Sequence, residues 1–410
     1  MRLLVLDEAW QAIGGVDTFR RFLLPALAAR VENLWWACPS RLHPRRLAPA
    51  SANLGNLETL DTFPPTYSLG GLAAAVLRRL PRNWAPAWRE RAQNAVSRRH
   101  LRNLVRRLGI THLLEISVFR HFFPKLGIPV VGLIHDLDYP NCGHSPIDEV
   151  FRDWLRHADR IRAASTLTRT DLLKLLPEAA ARVEVIAQPS PAPPNPPPTR
   201  LCNSWSRPEP VLYYPGVFTP RKNQAVLLAA LTQVTARGIP FHCYLSGNGT
   251  DLMFADQPFA DAATEAAHQA CLRWREPLRN RVTALGSRSW SDVEQLFAAA
   301  NLIVLPSRYE GFGLPMSEAL RRGRPVVASR IPTFEEQAML YRAHEQIRWF
   351  PPDDSNALAA TLADILTGAA PFPPFPADLQ ARLASWTWDA FAERVITVLQ
   401  DPSCPNPSIR

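Results

Sequence analysis

The sequence runs to 410 residues with a formal net charge of +9, 47% hydrophobic and 20% charged residues, and 40 prolines. That length exceeds one ordinary core and points to two soluble globular domains of roughly 150–200 residues each. The six cysteines (38, 142, 202, 243, 271, 404) are scattered without a CxxC, against a disulfide framework, and no window approaches the ~20 apolar residues needed to span a bilayer.

The N-terminus, MRLLVLDEAW, places acids where the apolar core of a signal peptide should continue, which points to the cytoplasm. Arg2 to Leu6 reads as a buried strand, followed by a loop with Gly14 and Gly15 and a helix from about Val16 to Ala29. Strand, Gly-Gly, helix is the pattern of the first βα turn of a doubly wound domain. A loop that approaches a phosphate and a plain tight turn explain the two glycines equally well. Residues 40 to 70 hold many turn formers and one or two short strands.

Residues 72 to 108 read as helical and basic, with ten arginines between Arg78 and Arg107 against a single Glu90. Trp84, Trp88, Ala92, Ala95, Leu101, Leu104, Val105 and Leu108 fall near one face at helical spacing. One account is a core-facing stripe with a solvated arginine back. The sharper account is a basic surface at residues 78–107 that docks on anionic lipid head groups, with tryptophans at the interface. No finger, RNP-type or basic-zipper pattern supports a nucleic-acid partner.

His112 to Ile116 and Val130 to Ile134 read as strands, the second closing on His135-Asp136 at the carboxyl edge where α/β sheets bind ligands. The following Asp138, Cys142 and His144 match no metal-ligand spacing. A helix from Pro146 to about His157, a strand at Ile161 to Ser165 and a helix starting at Thr168 or Thr170 complete the first pattern. The run Gln188 to Pro210 is packed with proline and reads as a semi-rigid spacer. The expected division is therefore 1–187, a linker at 188–210, a second domain at 211–385, and a tail helix at 386–410 packing back on the first domain.

Val211 to Tyr214 is the next strand, and GVFTPRKN (216–223) is a loop with adjacent cations Arg221 and Lys222. A helix from Gln224 to Arg237 and a strand from Phe241 to Leu245 follow. Gly247-Asn248-Gly249 lacks the third glycine of a dinucleotide fingerprint, so it is a weak signal. Residues 251 to 280 read as helical, Arg281 to Leu285 as a strand, and Asp292 to Ala300 as a helix capped by Ser291. Further on, residues 356 to 367 and the tail from Trp386 read as helices.

Between them lies LIVLPSRYEGFGLPMSEALRRGRPVVAS, Leu302 to Ser329. It reads as strand, glycine loop, helix, strand, with Pro315 at the first helical position. The amides of Phe312, Gly313 and Leu314 would then be orphan donors at the positive end of a helix dipole, suited to an anion. Glu310 and Glu318 flank this nest, and carboxylates accept hydrogen bonds from hydroxyls. Amides for phosphate beside carboxylates for hydroxyls fit a sugar nucleotide. A loop acid and a helix-start acid of purely structural value are the bland alternative.

The segment EGFGLPMSE with its following GRPVVAS resembles the retaining glycosyltransferases of family 4, and GGV, IHD (134–136) and TPRKN (219–223) occur in that family's order. The resemblance covers nearly the whole chain and implies the GT-B fold: two Rossmann-like, doubly wound α/β domains facing across a cleft. It implies that Glu318 grips the ribose hydroxyls, that Glu310 contacts the transferred sugar, and that Phe312, Gly313 and Leu314 hold sugar and diphosphate. Gly14 and Gly15 fall on the donor side as well. Lys222 matches the lysine that neutralises the leaving diphosphate, and His135 the histidine beside the reacting bond. One position departs: where the family often has an arginine, this chain has Val217, so either Arg221 or another cation such as Arg308 fills in, or activity is low.

The implied activity is transfer of a hexosyl group, mannosyl by analogy, from a nucleoside-diphosphate sugar to a glycan or lipid-linked hydroxyl acceptor with retention. The setting is cell-surface polysaccharide or glycolipid assembly at the cytoplasmic side of the membrane. The cationic side chains can take the place of a divalent ion at the diphosphate, so the expectation is a metal-independent reaction with no cofactor. A non-catalytic sugar-nucleotide-binding subunit and a sugar-nucleotide epimerase on the same fold are the alternatives.

Overall fold

The computed structural model describes residues 1–7, 15–38, 57–61, 86–116, 126–137, 149–191 and 207–401. The chain forms two compact units, one chiefly from Met1–Leu137, Pro146–Gln188 and the segment from Trp388 onward, the other from Pro189–Thr387.

In the first unit the strands are β1 (Arg2–Leu6), β2 (Asn33–Cys38), β3 (Leu57–Asp61), β4 (His112–Glu115), β5 (Val130–Ile134), β6 (Arg160–Ala163) and β7 (Val183–Val185). They form one parallel sheet in the order β3-β2-β1-β4-β5-β6-β7. Its helices are α1 (Gly15–Ala28), α2 (Pro86–Leu108), α3 (Glu149–His157) and α4 (Thr166–Leu175). The apolar run of β1 serves both faces: Leu4 and Leu6 join one core with Leu101, Leu104 and Val105 of α2, while Leu3 and Val5 join the other with Leu23 and Leu27 of α1. Burying each such leucine contributes roughly 1.5–3 kcal/mol, which fixes the outward face of α2. Arg99, Arg102, Arg106 and Arg107 stand on that exposed face. Ala95, expected on the apolar stripe, is exposed as well. Trp84, Arg78, Arg79 and Arg82, the segment 138–145, Gly14 and residues 192–206 of the proline run lie outside the described residues.

The second unit holds β8 (Val211–Pro215), β9 (His242–Ser246), β10 (Val282–Ala284), β11 (Leu302–Leu305), β12 (Val326–Ser329) and β13 (Ile347–Phe350). They too are parallel, in the order β10-β9-β8-β11-β12-β13. Its helices are α5 (Gln224–Ala236), α6 (Ala262–Leu272), α7 (Trp290–Ala299), α8 (Leu314–Arg321), α9 (Pro332–Tyr341), α10 (Ser355–Leu366) and α11 (Ala377–Ser385). The last helix, α12 (Trp388–Gln400), belongs to the first unit, where Trp388, Phe391 and Val395 enter the α1 core and Arg30 bridges Asp389 and Glu393.

Several local expectations are corrected. Ser289, not Ser291, caps α7, in a capping box with Asp292. Ser165 caps α4 by accepting from the Thr168 amide at 3.1 Å, so that helix starts earlier than expected. Of residues 251 to 280, the α-helix is confined to Ala262–Leu272, opened by Asp261 accepting from the Thr264 amide at 2.8 Å. Cys243 and Cys271 are buried free thiols. No helix among the described residues is long and apolar enough to cross a membrane.

Candidate functional site

In the second sheet, β8 and β11 are neighbours, and the strand order runs outward from them in opposite directions. Loops leaving the carboxyl ends of such a pair diverge and leave a crevice, the usual place for a ligand in an open parallel sheet. The β8 loop carries Arg221 and Lys222, and the β11 loop carries Glu310. The two loops are tied together: the Arg308 amide donates to the Arg221 carbonyl at 2.8 Å.

The β8 loop is also stapled from behind. Gln224 Nε2 donates to the Tyr214 hydroxyl and to the Val217 carbonyl, both at 2.8 Å. The Phe218 amide donates to the Asn248 carbonyl at 2.8 Å. Gly247, part of the weak G-x-G signal, lies against this loop: a Cβ there would sit 2.3 Å from the Gly216 carbonyl oxygen. That glycine is therefore a close-approach residue of the scaffold.

Lys222 Nζ donates to Glu310 Oε1 at 2.5 Å, Arg221 Nη1 approaches Glu310 Oε2 at 3.3 Å, and Ser307 Oγ donates to Oε1 at 2.6 Å. Glu310 and Lys222 are buried, 5% and 8% exposed. Burial alone would raise the Glu310 carboxyl, but the charges of Lys222 and Arg221 and the hydrogen bonds from Lys222 and Ser307 hold it below the usual range. Of the two cations offered for the position taken by Val217, Arg221 joins this cluster. Arg308 instead pairs with Asp353 at 2.6 Å on the exposed side.

The helix start comes next. Gly313 is the N-cap of α8 with φ +81°, so Leu314 is the first helical residue and Pro315 the second, one position later than expected. A Cβ on Gly313 would meet Phe334 Cε1 at 2.5 Å and Gln337 Nε2 at 3.1 Å. Gln337 Nε2 donates to the Phe312 carbonyl and to the Gly313 carbonyl at 3.1 Å, and Thr333 Oγ1 to the Glu310 carbonyl at 2.7 Å. With the carbonyls turned back toward α9, the amides are left over. Among the described residues no acceptor meets the amides of Phe312, Gly313 or Leu314. A glycine cap has no side chain to satisfy them, so the helix start presents donors of the kind that suit an anion.

Glu318 sits in the second turn of α8 rather than the first, because the helix begins earlier. It is buried, 9% exposed, and its carboxylate accepts no hydrogen bond from any described residue. Arg322 is close by but is engaged: Nε donates to Glu294 Oε2 at 3.1 Å, Nη2 to Glu294 Oε1, and Nη1 to the Glu318 carbonyl at 2.9 Å. Burial pushes the Glu318 carboxyl up to about 7, with Arg322 opposing the rise and Glu294 adding to it. A buried carboxylate without a donor is costly to keep, and a pair of ligand hydroxyls would satisfy it.

In the first unit, His135 follows β5, with Nε2 2.8 Å from the Ile116 carbonyl oxygen. Burial, reinforced by the charge of Arg162, pushes it down to about 4, so the ring is neutral near pH 7. A carbonyl only accepts, so Nε2 carries the proton and Nδ1 the lone pair. Gly15 is the first residue of α1, and the buried pair Asp7–Arg20 joins the carboxyl end of β1 to that helix.

The sequence reading missed Ser307, Thr333, Gln337, Glu294 and Arg322. The proline at the start of α9 was the one signal for a helix there. Among the described residues, no group of three or more His, Cys, Asp and Glu could hold a metal ion.

Residues 203–380 match the family model described as glycosyl transferases group 1. That stretch falls within the second unit. The cluster around Glu310 and the start of α8 lies wholly inside it. Over 59 residues the chain is 41% identical to the O-antigen chain mannosyltransferase RfbU of Salmonella typhimurium, covering 14% of this chain and 17% of that one. Over 193 residues it is 28% identical to the phosphatidyl-myo-inositol mannosyltransferase of Mycolicibacterium smegmatis, covering 47% of this chain and 45% of that one. In each case the match spans less than half of the relative. The structure is similar to sucrose-phosphate synthase from Thermosynechococcus elongatus, with TM-score 0.68 and 20% identity over 97% of both chains. The architecture, two parallel α/β sheets of this order, is the GT-B fold of glycosyltransferase structures.

Proposed function

We propose that this chain is a retaining glycosyltransferase that moves a hexosyl group from a nucleoside-diphosphate sugar to a hydroxyl acceptor. The observation that carries the reading is Glu318: a buried carboxylate that accepts from no described residue, on the helix whose start presents three amides that meet no acceptor among the described residues. The helix start takes diphosphate and the carboxylate takes ribose hydroxyls, so one element holds both halves of a nucleotide. Lys222 and Arg221 neutralise the leaving diphosphate, which fills the charge role left open by Val217. Removal of one such donor typically costs about 3 kcal/mol of barrier. Glu310 accepts hydroxyls of the transferred sugar. With two cations at the leaving group, the reaction proceeds without a bound metal ion.

A mannosyl donor and a glycan or lipid-linked acceptor follow the mannosyltransferases among the relatives. Placement at the cytoplasmic face of a membrane follows from the arginine face of α2. Its apolar face is already in the core, so the attraction is electrostatic rather than insertive.

The test is release of nucleoside diphosphate from a panel of sugar nucleotides, with and without lipid-linked acceptors. Turnover that falls at least about 100-fold in Lys222→Met supports the assignment. Donor binding with no turnover for any pair identifies a non-catalytic binding subunit instead.

A further inference from the structure

The cations meant for a diphosphate are not idle without one: Lys222 and Arg221 both sit on Glu310. We propose that Glu310 is an internal counter-anion that makes this site discriminate between a sugar-bearing donor and a bare diphosphate. The inference rests on the reading of the site as a sugar-nucleotide site.

The geometry forces a competition. Lys222 Nζ is 2.5 Å from Glu310 Oε1, so a phosphate oxygen that engages Lys222 enters the space next to a buried carboxylate. Glu310 cannot simply protonate to avoid it, because its neighbours hold it ionised. Nor can it easily swing away: Ser307 Oγ holds Oε1 at 2.6 Å, and Ser329 Oγ in turn holds the Ser307 carbonyl. A bare diphosphate therefore takes donors from Glu310 and returns none, leaving a buried charge short of partners.

A sugar nucleotide is different. Its hexose hydroxyls donate to the carboxylate and replace what Lys222 and Arg221 withdraw. Discrimination then comes from a repulsive element built against the wrong ligand. After transfer the sugar is gone, Glu310 recovers its hold on the cations, and the diphosphate product is displaced.

The test uses inorganic pyrophosphate as the probe, titrated calorimetrically into the full chain at pH 7.5 and low salt. Glu310→Gln keeps the volume and an acceptor for Ser307 but removes the charge. It binds pyrophosphate at least about tenfold tighter than wild type, the order expected when one adjacent like charge is removed. Glu310→Asp withdraws the carboxylate by one methylene and gives a smaller gain in the same direction. Adding Lys222→Gln to either variant cancels the gain. A folded Gln or Asp variant that binds pyrophosphate no tighter than wild type overturns the proposal. This readout needs no transfer activity, so it can fail while the enzyme turns over, and it can succeed on a chain that transfers nothing.

Discussion

Glu318→Gln is the substitution in which stability and ligand binding move in opposite directions. Gln keeps the shape of the side chain and removes its ionisation. In the folded chain this carboxyl is held near 7 rather than 4.5, chiefly by burial. The folded chain thus keeps a proton that the unfolded chain releases. Stability from this site is fully present below pH 4.5 and is lost as the pH rises through 7. The difference corresponds to about 3 kcal/mol at pH 8. Urea unfolding should therefore give nearly equal stabilities for wild type and variant at pH 5. At pH 8 the variant should be more stable, by up to about 3 kcal/mol, because it no longer carries an unpartnered buried charge. Binding moves the other way. A hydrogen bond to an ionised acceptor is worth about 1.5–3 kcal/mol, so the variant should bind the nucleotide roughly 10- to 100-fold more weakly. Wild-type affinity should itself rise as the pH passes about 7 and the carboxylate ionises. The reasoning is refuted if the wild-type-minus-variant stability difference stays flat from pH 5 to 8, or if nucleotide affinity is unchanged.

Two further outcomes can be checked. Gly313→Ala places a Cβ 2.5 Å from Phe334 Cε1 at a backbone φ of +81°, so the left-handed conformation and the overpacking together should cost about 2–4 kcal/mol in urea unfolding; a loss under about 1 kcal/mol would mean the loop relaxes freely. Wild-type chain should float with anionic liposomes at low ionic strength and dissociate as salt is raised, and replacing Arg99, Arg102, Arg106 and Arg107 with Gln should abolish flotation. Flotation by the four-fold variant would place the lipid-binding surface elsewhere.

The fold was largely legible because its signals are local. β1, β5, β8 and β11 are apolar runs bounded by glycine, proline or charge, and α12 is strongly periodic. β7 and β13 escaped notice for a physical reason: β7 has three residues and lies at an edge, and β13 alternates less cleanly, with Arg348 and Trp349 only half-buried. The same division runs through the site. Glu310 and Glu318 stood out, since acids at fixed offsets around a glycine loop and a proline are properties of one segment, whereas the helix was expected to start one residue later than the Gly313 cap puts it.

What could not be read is how each group is poised. Glu310 and Glu318 are the same residue type, eight positions apart on one motif, yet their carboxyls are pushed to opposite sides of the ordinary value. Both are buried, so burial does not separate them. The difference is which cation reaches them. Lys222 and Arg221, from a loop nearly ninety residues earlier, close on Glu310. Arg322, only four residues from Glu318, is drawn off by Glu294 of α7. Long-range pairing thus makes one acid a held anion and leaves the other without a donor among the described residues. A motif specifies the residue types of a site, whereas the partners that set their charge come from other parts of the sheet edge.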